Sequence, residues 1–309
     1  KERQIELIEA PLDRLRPGAL DRIGLMILAA PRGPRAPEEA ETIQRYLEGG
    51  GRLLVLAEPF PQDGTVPDHG LNDLLAPWGL RLADGIVLTP PREPAGVWRD
   101  LFWTQHFAGT HELSVPYARA QQERRFPLFV DGARAIETIP RSAPSVTTGP
   151  LVLSGRDGIL KRDLASEQVN PNTDRPGQHA LDAFAEKVLR ALPESPGGEG
   201  TAPPPGAEGA VQEESKTRIL VFADADAAAD RWFHPQARAD AANAAFVLDA
   251  VHWLLSREGR IGIPPPPRES FGIRMEDAPY KRLGWVLVAF LPLATLGLGA
   301  AVWWVRRGA

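Results

Sequence analysis

Residues 37–59, PEEAETIQRYLEGGGRLLVLAEP, carry the reading on which the fold turns. Three glycines stand directly before a run of aliphatic residues, which raises the possibility of a phosphate-binding loop. The order of elements argues against one. A phosphate loop follows its strand and opens a helix, so that N–H groups at the helix start point at the anion. Here the glycines close a helix and precede a strand. Pro37 pre-sets the first helical turn, and Glu38 and Glu39 suit its positive end. Ile43, Tyr46 and Leu47 then recur at helical spacing. One of Gly49, Gly50 and Gly51 is expected in the left-handed conformation that ends a helix.

Working outward, residues 4–10 (QIELIEA) alternate apolar and polar positions, and residues 23–31 (IGLMILAAP) form a continuous apolar run suited to a buried strand. Strand, helix and apolar strand in that order predict an α/β fold with a parallel sheet. Downstream, Leu71, Leu74 and Leu75 mark a short helix, and Asp84–Gly85 a turn between two short strands. Residues 91–150 are less regular. A short strand pair and a helix over 180–192 (ALDAFAEKVLRAL) are expected in residues 150–192. Residues 193–215 lack apolar periodicity and are rich in Pro, Gly and Glu, the composition of a flexible insertion. TRILVFADAD (217–226) resumes a buried strand. The helix in 241–259 is expected to turn Phe246, Val247, Ala250, Val251, Leu254 and Leu255 inward and to stop at Gly259. His252 beside Trp253 reads as packing.

The far end of the chain is different. Leu283–Val305 is 23 residues without a charge. As a helix it would extend about 34 Å, enough to cross a bilayer core with some tilt. Trp285 at one end and Trp303 and Trp304 at the other suit interfacial belts, and Pro292 is tolerated within such spans. Gly297, Gly299 and Ala300 offer small-residue contacts to a neighbouring helix. The organisation expected is therefore an α/β domain over 1–262, a proline-stiffened connector over 263–282, a transmembrane helix over 283–305 and a basic tail over 306–309. Two basic residues flank each side of the span, so charge leaves orientation tied. A four-residue tail is easily left in the cytoplasm, which favours residues 1–281 on the outer side. The chain starts at Lys1 rather than Met, which suggests a processed or truncated start.

Composition removes several chemistries. Net charge is −5, and only five of the 35 basic residues are Lys, with no basic stripe to engage nucleic acid. Cys is absent, which excludes disulfides, thiolate metal sites and cysteine nucleophiles. No Walker motif and no G-x-S-x-G elbow occurs. What remains is a set of strand-end carboxylates: Glu58, Asp224 and Asp226, with Asp230 beyond. Open α/β sheets place ligands at strand C-termini, and two carboxylates there could hold Mg²⁺ or act in hydrolysis. The commoner use of Asp in that position is a turn or N-cap hydrogen bond. His106, His111 and Glu112, in HFAGTHE, are a possible metal trio, but a five-residue gap does not bring both imidazoles to one helix face. No catalytic set assembles, and neither a cofactor nor a metal is expected.

Several segments, in order, resemble one family. LMILAAPRGPRAPEEAETIQRYLEGGGRLLVLAEP (25–59) looks like the opening of the auxiliary component of ABC-type transport systems, the group that includes the gliding-motility protein GldG. LNDLLAPWGLRLADGIVLTP (71–90), RRFPLFVDGARAIE (124–137), RILVFADADAAADRWF (218–233) and VHWLL (251–255) are similar to later blocks of that family. The resemblance implies a flavodoxin-like or class I amidotransferase-like sheet with helices on both faces, held outside the bacterial cytoplasmic membrane by a single C-terminal helix. It implies a non-enzymatic subunit working beside an ABC-2-type permease and a separate ATPase. Family members usually carry a second membrane helix at the N-terminus, which is missing here. Glu58 stands where the family often has Asp, and Ala227 and Asp230 where it has Phe and Asn. Two other classes remain open: a membrane-tethered hydrolase using Glu58, Asp224 and Asp226, and a stand-alone ligand sensor.

Overall fold

A computed structural model describes residues 8–9, 20, 23–34, 36–91, 97–123, 126–139, 145–166, 168–189, 216–233, 241–257, 288–289 and 291–308. The chain divides into two units, Lys1–Pro267 and Arg268–Ala309. In the first, β1 (Met26–Ala29) leads through α1 (Pro37–Glu48) to β2 (Arg52–Leu56), then α2 (Leu71–Leu75), β3 (Leu80–Leu82) and β4 (Ile86–Leu88). Next come β5 (Leu101–Thr104), β6 (His106–Phe107), α3 (Val115–Glu123), β7 (Leu128–Asp131), β8 (Ile136–Thr138) and β9 (Val146–Leu153). The unit closes with β10 (Ile159–Lys161), β11 (Arg175–Pro176), β12 (Ala180–Val188), β13 (Lys216–Phe222) and α4 (Asn243–Leu254).

The expected strand–helix–strand unit is present, and α1 ends as anticipated, with Gly50 at φ 93°. β1, β2 and β13 are parallel neighbours. The sheet as a whole is mixed, which corrects the parallel expectation. From β13 onward the order continues through β12, β8 and β3 by antiparallel pairing, with β9 alongside β12 and β6 alongside β9. Among the described residues β1 lies at the sheet's edge and not inside it. Its burial alternates, and Ile27 keeps 41% exposure.

The reason for the switch is β12. Residues 180–188, expected as helix, form a strand paired with β13 on one edge and β9 on the other. Ala, Leu, Glu and Lys favour helix by only fractions of a kcal/mol per residue. Two ladders and the burial of Leu181 through Ala185 outweigh that preference. The small Ala183 and Ala185 fill a strand buried on both faces.

Strand alternation assigns the helices to faces. The Thr217 hydroxyl donates to the Leu47 carbonyl at the end of α1, while its neighbour Arg218 donates to the Trp253 carbonyl at the end of α4. Consecutive strand residues point to opposite faces, so α1 and α4 cover opposite sides of β13. Phe222, in phase with Arg218, stacks on Phe246 of α4 at 5.6 Å. Phe246, Val247, Ala250 and Leu254 are buried as expected, joined by Asp249 and Trp253, while Val251, and Leu255 just past the helix end, are only partly so. Gly259 lies outside the described residues, and α4 ends at Leu254. The helix α2 packs on α1, with the Gln44 amide donating to the Leu74 carbonyl and accepting from the Trp78 indole.

Asp84–Gly85 is a turn but not a hairpin. β3 pairs with β8, whereas β4 joins a separate sheet with β10 and β11. Gly85, at φ +119°, lets the chain cross between the two sheets, and a Cβ there would collide with the Lys161 carbonyl. Residues 1–7, which hold most of the expected first strand, and the insertion 193–215 lie outside the described residues.

In the second unit, α5 spans Leu291–Arg307, with Pro292 in its first turn and Arg306 and Arg307 in its last. No helix among the described residues is long and apolar enough to cross a membrane. Most of 283–290, the first part of the expected span, lies outside them, as does Trp285. Gly297 and Gly299 present an open flank of α5, and Trp303 and Trp304 are 57% and 77% exposed.

Gly85→Ala should destabilise the first unit by about 2–4 kcal/mol, because backbone strain and collision add. Gly33→Ala, where a Cβ meets nothing within 4 Å, should stay within about 0.5 kcal/mol. Urea titration followed by tryptophan fluorescence distinguishes the two, and equal losses would show that the Gly85 crossing is not strained.

Candidate functional site

The parallel strands β1, β2 and β13 end together, and the acids singled out from sequence lie just past the ends of β2 and β13. The β2–β13 register pairs Arg52 with Arg218, so even-numbered residues of both strands share the α4 face. Continuing that alternation places Glu58 and Asp224 on the same face. The chain leaves β2 toward α2, on the α1 side, and leaves β13 toward α4 on the other. In open α/β sheets, ligands bind where the exits of adjacent strands diverge in this way.

In this chain the acids are engaged by backbone. Asp224 Oδ1 accepts the Asp226 N–H at 2.8 Å, capping the 3-10 turn Ala225–Ala228, and Oδ2 accepts the Asp131 N–H at 2.8 Å, fastening the end of β7. Glu58 Oε2 accepts the Ala225 N–H at 3.2 Å. The cap reading of Asp224 is thus the one the geometry fits. Asp226 is half-exposed. Arg231, in the turn Asp230–Trp232, reaches both Asp226 and Asp131 at 3.4 Å and lies over the rings of Phe129 and Trp232. The Trp232 indole donates to the Asp226 carbonyl, and Trp103, Phe129 and Trp232 pack edge-on or tilted.

A further acid, Asp182, was not singled out from sequence. It stands opposite Phe222 in the β12–β13 pair, is 3% exposed, and its Oδ2 has no hydrogen-bond partner. Burial pushes its carboxyl well above the usual range, and the nearby Asp224 adds to this, while the Ala223 N–H offsets part of it. Burial also raises Asp224 to about 7, with Glu58 adding to the shift and the Asp131 and Asp226 N–H groups opposing it. Glu58 is raised to about 7 by burial, then by Asp226 and Asp131, against the Ala225 N–H and Arg32. Asp182 was illegible because its segment reads as helix. Placed on a helix, it has no strand partner and no relation to Asp224.

The histidine trio does not assemble. His106 is exposed on β6. His111 is packed against Phe184 and Trp253, its Nδ1 accepts the Leu113 N–H, and burial lowers its pKa to about 4. Glu112 accepts the Trp253 indole. Among the described residues no three His, Cys, Asp or Glu side chains form a group that could hold a metal ion.

No protein-family model matches the chain, and no curated protein matches it in sequence. Its structure is similar to a solved structure described as the mmIFT52 N-terminal domain, with a TM-score of 0.50 and 14% identity, over 82% of this chain and 85% of that one. The likeness is one of α/β fold.

Asp224→Ala should cost about 2–4 kcal/mol, since it removes a cap and strands two N–H groups. Asp224→Asn, which keeps one acceptor, should cost less than half as much. Chemical denaturation at pH 6 tests this, and an Ala variant as stable as the parent would show that the Asp224 side chain fastens nothing.

Proposed function

We propose that this chain is a non-enzymatic, membrane-anchored accessory subunit of a GldG-like ABC transport system. On this reading its α/β unit lies outside the bacterial cytoplasmic membrane and contacts an ABC-2-type permease or the exported substrate. A separate subunit hydrolyses ATP. The observation that carries the reading is the use of the strand-end acids. Asp224 spends both oxygens, and Glu58 one, on backbone N–H groups of the adjoining turn and the end of β7. An acidic edge used in this way holds surface loops in shape, as a contact domain requires.

Further support is distributed. The family-like blocks keep their order along the chain, and the three parallel strands with helices on opposite faces agree with a flavodoxin-like or amidotransferase-like ancestry. The anchor is residues 283–305, of which α5 supplies the later part, with Gly297 and Gly299 open for packing against a permease helix. Trp303 and Trp304, with Arg306 and Arg307, suit one membrane interface.

One observation favours a second reading, a tethered hydrolase. Glu58 and Asp224 both titrate near neutrality at strand ends, as a general acid or base does. Mild detergent extraction of the natural full-length protein, followed by mass spectrometry, separates the two. A permease and an ATPase co-purifying in defined ratio is the expected result. A chain that emerges alone and monodisperse would overturn the accessory-subunit reading.

A further inference from the structure

Glu58, Asp182 and Asp224 lie at the ends of three adjacent strands, β2, β12 and β13, with hydrogen-bond donors for only part of their combined oxygen count. Asp224 has two N–H donors, and Glu58 has one at the longer distance of 3.2 Å. Asp182, buried beside Asp224, leaves Oδ2 unpartnered. The other charged groups facing the trio are Asp131 on β7, Asp226 and Arg231 in the turns after β13, and Arg32 beyond β1. Both arginines act from the rim. Arg231 is 46% exposed and already shared between Asp131 and Asp226. No cation among the described residues makes an ion pair with a member of the trio.

We propose that this acid trio is a proton-operated latch, which holds the turns Ala225–Ala228 and Asp230–Trp232 against the sheet when protonated and releases them when it ionises. A buried carboxylate without a cation is costly, and neighbouring ones repel. The two donors at Asp224 stabilise one charge, so the set takes up protons as a unit. Glu58 is the member able to leave. It is only partly buried, and its departure frees the Ala225 N–H that starts the turn. That turn carries Asp226, whose carbonyl holds the Trp232 indole, and Trp232 in turn closes the cluster with Trp103 and Phe129. Release therefore uncovers an aromatic surface.

The direction with pH is set by the raised carboxyls. Glu58 and Asp224 titrate near 7 in the folded chain and in the ordinary carboxyl range when unfolded. Their contribution is complete below that ordinary range and is lost as pH rises toward and through about 7.

The test is hydrogen exchange with mass spectrometry on the full chain in detergent, from about pH 4, in the ordinary carboxyl range, to pH 8.5, corrected for intrinsic exchange rates. Peptides covering 224–233 and 126–131 should lose about tenfold protection for each pKa unit by which the carboxyls are displaced. Peptides of α4 should hold theirs. Glu58→Gln keeps an acceptor for Ala225 without the charge, and should retain protection at pH 8.5. Asp182→Asn removes one of the repelling carboxyls and should make the loss smaller. Protection that is flat across the range, or a fall unchanged in both variants, would overturn the latch.

Discussion

The Asp224 carboxyl group joins three pieces of chain: the end of β13, the first turn after it and the end of β7. One oxygen takes the Asp226 N–H and the other the Asp131 N–H. This is possible because β13 is confined on every side. It pairs parallel with β2 and antiparallel with β12, and α1 and α4 cover its two faces. A strand with no freedom to slip delivers its last side chain to one place, and the surrounding loops are organised from there.

Confinement also has an electrostatic consequence. A strand that ends inside a covered sheet carries its polar terminus into a region of low dielectric, where charge is costly. Glu58 on the neighbouring strand and Asp182 on the next share that environment, and burial is the leading cause of the raised pKa of all three. The compensating cations, Arg32 and Arg231, sit toward the surface, so the interior balance is struck with protons. The same arrangement that fastens the loops therefore makes the fastening sensitive to pH.

Reading residues 37–59 as helix, glycine stop and buried strand agrees with the structure, as does the cap role of Asp224, because those signals are local: periodicity, a left-handed glycine, an Asp after a strand. The segment 180–188 failed for the opposite reason. Its helix-forming composition was overruled by two ladders whose partners, β9 and β13, lie far away in sequence. That one misreading hid Asp182. It also hid the antiparallel continuation of the sheet, since β12 is the strand that joins β13 to β8 and β9. Asp84–Gly85 was recognisable as a turn from its residues, but whether its strands pair with each other depended on β8 and β10, which the turn cannot specify.

By itself, then, the amino-acid sequence determined the α/β class, the β1–α1–β2 unit, the acids at the strand ends and the apolar character of the C-terminal segment. These follow from spacing and side-chain chemistry over a dozen residues or so. Tertiary structure decided the mixed sheet, the burial of Asp182, the engagement of His111 and Glu112 by Trp253 while His106 stays exposed, and the bonding of Glu58 to Ala225. Each of these depends on which distant strand becomes a neighbour, and that choice is made by the summed burial and pairing of the whole sheet, to which no single segment's pattern is a guide.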